Sequence, residues 1–207
     1  MTPPSSSLSS DSAKASQSAK SRKSQSAIAT RDRLLQATIN IIQTQGVERL
    51  TLDTVAKEAR VSKGGLLYHF ASKEALVSGV IQCLMDEFDA DIAAELIQDT
   101  APESPGKWLR AYVKASFNGK VLPTQFIASL LSAVTVNPEL LKPVKIQFEA
   151  WQQKVLAPGL DPVRACLVRF ATDGFLDSEL FGGKLPNDEL RQELLAMLLG
   201  IIQEAES

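Results

Sequence analysis

Histidine is almost missing from this sequence: His69 is the only one in 207 residues. No G-x-S-x-G, H-E-x-x-H or C-x-x-C pattern occurs either, so only carboxylates or lysines remain for catalysis and an enzyme is not expected. The phosphate-loop spacing G-x-x-x-x-G-K-[ST] is missing as well. The two cysteines, Cys83 and Cys166, lie far apart in a chain too large to need staples. They read as reduced core residues of a cytosolic protein, not as a disulfide. No apolar run reaches the roughly 18 residues of a membrane-spanning helix. The first residues lack the apolar segment of a secretory signal. The expectation is a cytoplasmic protein. There is no convincing strand alternation and no internal repeat.

Hydrophobic residues make up 44% of the chain and charged residues 22%, ordinary for a soluble domain able to bury a core. Recurrent Ala, Leu, Gln and Glu favour helices. The net charge of −2 conceals an asymmetry. Residues 1–82 hold eleven Lys and Arg against six Asp and Glu, a balance of +5 that leaves −7 for the remainder. A basic front suits a polyanionic partner, unless the asymmetry is an accident of surface charge. Residues 1–26, MTPPSSSLSSDSAKASQSAKSRKSQS, are low-complexity and too polar to offset the entropy of ordering, so a disordered tail is expected. Its cations either meet nucleic acid or are simply solvated.

From Thr30 the pattern becomes helical. Leu34, Leu35, Thr38, Ile39, Ile41 and Ile42 form an apolar stripe, with Thr30 as a candidate N-cap and Gly46 as a stop. A short helix follows from Thr51 to about Ala59. Another begins at Ser62 or Lys63 and ends near His69. Only ARVS separates them, which makes a helix-turn-helix with Val61 as the apolar pin of the turn. Ser72 then caps a long helix to about Gln98. Proline- and glycine-rich breaks divide the rest into helices at about 107–118, 123–135, 138–156, 162–180 and 187–203. The fold class is all-α with about nine helices. A helix-turn-helix minidomain over residues 27–78 precedes a larger helical domain over residues 79–207.

The stretch LTLDTVAKEARVSKGGLLYHFASKEALV, residues 50–77, closely resembles the DNA-binding pattern of TetR family transcriptional regulators, and RFATDGFLDSELFG (169–182) looks like the penultimate helix of one subgroup. In a helix-turn-helix the second helix enters the major groove, leading with its N-terminal residues. Gly64 and Gly65 would keep that end flat for close approach. Lys63 would supply charge or a donor to a guanine edge. Ser62 would cap or touch phosphate, and Tyr68 and His69 would reach phosphate farther along. The resemblance implies phosphate contacts from Thr51 and Lys73, and Arg60 adds another candidate. Plain readings stand beside these: a simple Gly-Gly turn, a solvated Lys63, a mostly buried Tyr68, a packed His69. Neither a metal nor a cofactor is expected. Two positions depart from the family pattern. Arg60 stands where glycine is usual and must tolerate an unusual backbone angle or a shifted turn. Leu67 stands where tyrosine is common.

The resemblance further implies a homodimer on a palindromic operator, most often a repressor released by a small, partly apolar inducer. Candidate walls of the inducer pocket are Met85, Phe88, Trp108, Tyr112, Phe117, Phe126, Phe148, Trp151 and Phe170, each of which also reads as plain core. Gln147, Gln152, Arg169 and Asp173 are among the polar groups that could orient a ligand. The last two helices carry more apolar surface than one buried stripe. Phe170, Phe175, Leu194, Leu198 and Ile201 are candidates for a dimer interface, the alternative being two ordinary core helices. The competing functional reading is a helical protein-interaction module without DNA binding.

Overall fold

The computed structural model describes residues 8–206 apart from 120, 121, 184 and 186, with side chains from residue 24 onward. Among the described residues there are nine α-helices and no strand. Helix α1 runs from Leu8 to Gln45. The disordered tail expected over 1–26 is therefore replaced by helix from Leu8, while residues 1–7 lie outside the described residues. The segment holds neither glycine nor proline, and Ala13, Lys14, Ala15, Gln17, Ala19 and Lys20 are strong helix formers. Thr30 is consequently no N-cap: its hydroxyl donates to the Ser26 carbonyl one turn back, at 2.8 Å. Gly46 does end the helix, at φ 83°, with its N–H on the Ile42 carbonyl.

Helices α2 (Leu52–Glu58) and α3 (Lys63–His69) form the helix-turn-helix, and α4 (Lys73–Ile97) leads out of it. Thr51 caps α2 reciprocally with Thr54: each hydroxyl accepts the other residue's N–H, at 3.1 and 3.0 Å. Threonine thus takes the place a glutamate has in a capping box. Ser62 and Ser72 cap α3 and α4, each through a 3.1 Å bond from the N–H three residues on.

The remaining helices are α5 (Lys107–Asn118), α6 (Thr124–Val136), α7 (Lys142–Val155), α8 (Pro162–Leu180) and α9 (Asp188–Ala205). The single helix expected over 138–156 is divided. Residues Pro138–Leu141 form a 3-10 turn, and α7 begins beside Pro143, whose ring lacks the N–H an interior helical position needs.

Two hydrophobic clusters share α4. The first joins Leu34, Ile42, Val55, Leu66, Phe70, Leu76 and Val80, and continues through Phe126 and Leu130 of α6. The second joins Ile92, Trp108, Tyr112, Trp151, Val168, Leu198 and Ile202. The change comes between Leu84 and Met85, inside a continuous helix about 37 Å long. Gly79 lets α4 press on the headpiece: a Cβ there would lie 2.9 Å from both Leu35 and Phe70.

A polar clamp ties the loop after α4 to the end of α9. Arg110 donates to both carboxylate oxygens of Asp99 (3.0 and 2.8 Å), to Glu206 (2.7 Å), to Ser104 (3.0 Å) and to the Ala101 carbonyl (3.0 Å). Among the described residues no helix is long and apolar enough to cross a membrane.

Candidate functional site

The turn between α2 and α3 places Arg60 at φ 53°, the one non-glycine residue of positive φ among the described residues. The unusual angle expected there is present, and the turn is not shifted. Neighbouring hydrogen bonds hold it: the Arg60 N–H on Lys57 (3.2 Å) and the Val61 N–H on Ala56 (2.9 Å). Val61 packs against the headpiece cluster, so the apolar pin is where the pattern put it. The Arg60 side chain is left exposed.

On α3, Leu66 and the following Phe70 point inward, Gly65 and His69 are half-buried, and Lys63, Gly64, Leu67 and Tyr68 are exposed. Tyr68 is 81% exposed, which removes the reading of a mostly buried ring. The His69 ring meets it edge-on at 5.0 Å. Lys63 pairs with Asp53 of α2 at 2.9 Å, both exposed, so this pair contributes little to stability and leaves the ammonium free to exchange partners. Thr51 is exposed at the start of α2, and Lys73, the first residue of α4, is half-buried. The guanidinium of Arg31 lies over the Phe70 ring, 5.4 Å from its centre, and brings α1 to the end of α3.

The two glycines of α3 differ. A Cβ on Gly65 would sit 2.9 Å from Val61 and 3.2 Å from the Ser62 hydroxyl, so this glycine serves the turn and the cap. A Cβ on Gly64 would meet nothing within 4 Å. Gly64→Ala is therefore expected to stabilise the free protein by about 0.5–1 kcal/mol, since alanine is the better helix former. The same methyl would weaken DNA binding if duplex must approach that surface. Thermal melts alongside binding titrations check the opposite signs. Unchanged DNA affinity in a stabilised variant would rule out close approach at Gly64.

In the body, five of the expected pocket residues meet in one aromatic cluster between α4, α5 and α7. Phe88 touches Tyr112 (5.6 Å) and Trp151 (5.3 Å), Trp108 stacks on Tyr112 (5.3 Å), and Phe148 lies 5.4 Å from Trp151. Met85 packs against the second core cluster, to which these rings belong or on which they pack. Three others lie elsewhere. Phe126 belongs to the headpiece cluster, because α6 packs towards α1. Phe117 stacks on Phe175 at 4.2 Å beneath Arg191. Phe170 is 65% exposed on the outer face of α8.

Polar groups border the cluster. Arg169 is buried, only 4% exposed, with its guanidinium 5.6 Å above the Phe148 ring. It donates to Gln152, and its Nε lies 3.4 Å from an Asp173 carboxylate oxygen, an ion pair without hydrogen-bond geometry among the described residues. Tyr112 donates to Asp173. Burial, followed by the Asp173 charge, pushes the Tyr112 phenol far above its usual range, so it stays a donor at all physiological pH. Asp89 accepts from Gln147 (2.6 Å) and Trp151 (2.8 Å). Asp89 was not legible as a member of this group, because it sits in the acidic run DEFDAD, which reads as a solvated face. Among the described residues no group of His, Cys, Asp and Glu converges as a metal site.

The outer face of α8 and α9 is apolar. Val163, Leu167 and Phe170 are exposed on α8, Phe181 just after it, and Leu190 and Met197 on α9. Gly174 and Gly200 lie on the same helices, exposed and with no atom within 4 Å of a Cβ position. Of the residues expected at an interface, Phe170 is on this face, and Leu194 and Ile201 are half-buried. Phe175 and Leu198 are buried within the protomer, because they occupy the inward stripe with Ala165, Val168, Thr172 and Ile202.

Two family models match the sequence. One, described as bacterial regulatory proteins of the tetR family, covers residues 34–80, and the other, the tetracyclin repressor-like C-terminal domain, covers residues 106–203. The HTH-type transcriptional regulator SrpR of Pseudomonas putida is 30% identical over 67 residues, 32% of each chain. The match thus spans only about a third of that relative's length. A member of the TetR family from Streptomyces coelicolor A3 superposes with TM-score 0.61 at 25% identity, covering 82% of this chain and 97% of the other. A putative transcriptional regulator from Pseudomonas aeruginosa PAO1 gives TM-score 0.63 at 18% identity, covering 85% and 89%, a likeness of fold alone.

Proposed function

The chain belongs to the TetR family of transcriptional regulators, which are DNA-binding proteins and not enzymes, and we propose that it acts as a cytoplasmic repressor that binds a palindromic operator as a homodimer and is released by a small-molecule inducer. The observation that carries this reading is the outward surface of α3. Lys63, the open position at Gly64 and the exposed Tyr68 lie on the helix that a helix-turn-helix lays into the major groove. Thr51, Arg60, Ser62, His69 and Lys73 flank it as phosphate contacts, which set register without reading sequence. The Ser62 hydroxyl already accepts from Gly65, so its share is the cap more than the phosphate.

One headpiece offers few contacts. A dimer reading two half-sites one helical turn apart, about 34–36 Å, supplies the rest. The apolar outer face of α8 and α9 supports such a pairing. Gly174 and Gly200 support it further, since a helical glycine costs about 1 kcal/mol against alanine, a cost that close packing of another surface would offset.

The inducer site in this reading is the cluster of Phe88, Trp108, Tyr112, Phe148 and Trp151, with Arg169, Gln152, Asp173 and Asp89 as its polar groups. The rings touch one another, so a ligand entering there must part them. Helix α4 contributes Phe88 to the cluster and Leu76, Val77 and Val80 to the headpiece core. A ligand that displaces α4 would alter the spacing of the two headpieces and shift the population away from the operator-binding form. A coupling of about 1–3 kcal/mol is typical.

The test is a salt-dependent binding titration on duplex from upstream of the protein's own gene. Lys63→Ala and Tyr68→Ala are each expected to weaken binding by about 1–3 kcal/mol, roughly 5- to 150-fold, with unchanged circular dichroism. Unaltered affinity in both variants would overturn the role given to α3. Failure of the wild-type protein to bind any duplex at low salt would favour a protein-interaction module instead.

A further inference from the structure

We propose that the first part of α1, residues 8–33, is a basic arm that lies along the phosphate backbone of the duplex beyond the base pairs read by α3, an interaction that rests on the DNA-binding reading above. Among the residues of α1 whose side chains are described, the first buried one is Leu34; residues 24–33 are exposed or half-exposed, including Ile28. Side chains 24–33 thus leave ten helical residues, about 15 Å, unburied before the headpiece core begins, and the α1 backbone continues as helix back to Leu8, so that residues 8–33 span about 39 Å, longer than one turn of B-DNA.

Its charge is mostly positive, six Lys and Arg against Asp11 and Asp32 near its two ends. Between residues 12 and 31 the sequence holds Lys14, Lys20, Arg22, Lys23 and Arg31 and no acid. The other residues there are serine, alanine, glutamine, threonine and a single isoleucine. Such a helix has no apolar stripe with which to dock on protein. Its cations recur at irregular intervals along the sequence, which suits the diffuse field of a phosphate backbone and not a pattern of base edges.

The arm also leaves the headpiece in the right place. Arg31 lies over Phe70, the residue that ends α3, with Lys73 three residues further on. DNA seated on Tyr68 and His69 would run past the root of the arm. Each cation that neutralises a phosphate releases condensed counterions and steepens the dependence of affinity on salt by about 0.9 in the log–log slope.

The experiment compares the full chain with a deletion of residues 2–23 and with the length-preserving variant K14Q/K20Q/R22Q/K23Q. Binding is measured between 50 and 200 mM salt (a window of about fourfold, over which phosphate contacts are readily resolved) on two probes: duplex from upstream of its own gene and a random-sequence duplex. Both variants are expected to lower the slope by about two to four per protomer and to lose at least about tenfold in affinity at the higher salt, on both duplexes alike. A deletion or a glutamine variant that binds with the slope and affinity of the full chain overturns the arm while leaving the function of α3 intact. Loss on the upstream duplex alone overturns backbone contact in favour of base reading. A full-length protein that binds neither duplex removes the DNA-binding reading itself, and the arm with it.

Discussion

Replacing Phe170 and Met197 together by aspartate is expected to give a monomer whose operator affinity is lower by about 100-fold or more. Both side chains are 65% exposed in the protomer, so their loss should alter protomer folding by no more than about 0.5 kcal/mol, the usual range for surface changes. In a two-fold dimer the same pair is buried twice. Burying a Phe or Met side chain is worth about 1.5–3 kcal/mol, and four are lost at once. The aspartates would also bring like charges together around the axis. Without dimerisation each headpiece binds one half-site, and the second half-site no longer adds its contacts. A loss of 2.7 kcal/mol, less than the burial term alone, already corresponds to about 100-fold. Light scattering and sedimentation check the first consequence, and titration on duplexes with one or two half-sites checks the second. A variant that remains dimeric would place the interface elsewhere. Gly174→Leu gives an independent reading: a side chain there has free space within the protomer and should harm assembly only if another helix approaches closely.

The parts legible in the sequence are those set by short-range rules. Caps at Thr51, Ser62 and Ser72, the stop at Gly46, the pin at Val61 and the strained angle at Arg60 each depend on neighbours within a few residues. The helix-turn-helix could therefore be drawn nearly residue by residue. The aromatic cluster was half legible. Phe88, Tyr112 and Trp151 come together, but nothing local tells Phe117 that its partner is Phe175, or sends Phe126 to the headpiece. Those outcomes are set by which helices cross. In α8 and α9 the breadth of the apolar surface signals two faces, and the sequence does not say which is inside. That is why Phe175 and Leu198, expected at an interface, lie inside the protomer, while Val163 and Met197 are exposed. The first helix misled for another reason. Its composition excludes a packed core but not helix, and helix propensity needs no core to act on alanine and lysine.

Arg110→Ala is expected to cost about 1–3 kcal/mol of folding stability at neutral pH, between the values for exposed and for fully buried ion pairs. The Asp99 side chain is 1% exposed and that of Glu206 20%, so the variant would strand two carboxylates that water reaches poorly. Arg110 holds the carboxyl of Asp99 below its usual range, mainly through their paired hydrogen bonds. Burial pushes Glu206 up, but hydrogen bonds from Ser104, Arg110 and the Gly106 N–H outweigh it and leave that carboxyl lowered too. A carboxyl lowered in the folded state contributes stability that is complete above its unfolded value, near about 4, and is lost as pH falls through the folded value. The wild-type protein should therefore lose stability on acidification from pH 5 through the range below about 4. In Arg110→Ala both carboxyls have lost their cation and protonate more readily, so the variant should lose less over the same interval. The difference between the two proteins should thus be largest at neutral pH and shrink in acid. Urea titrations at fixed protein concentration across that range check it, the concentration being fixed because assembly also feeds apparent stability. A difference that stays constant with pH would mean that Arg110 acts by packing and not by charge. Restoring length without the fork, in Arg110→Lys, should recover part of the stability: one ammonium cannot serve the two oxygens of Asp99 and the carboxylate of Glu206 in the fixed geometry that a guanidinium provides.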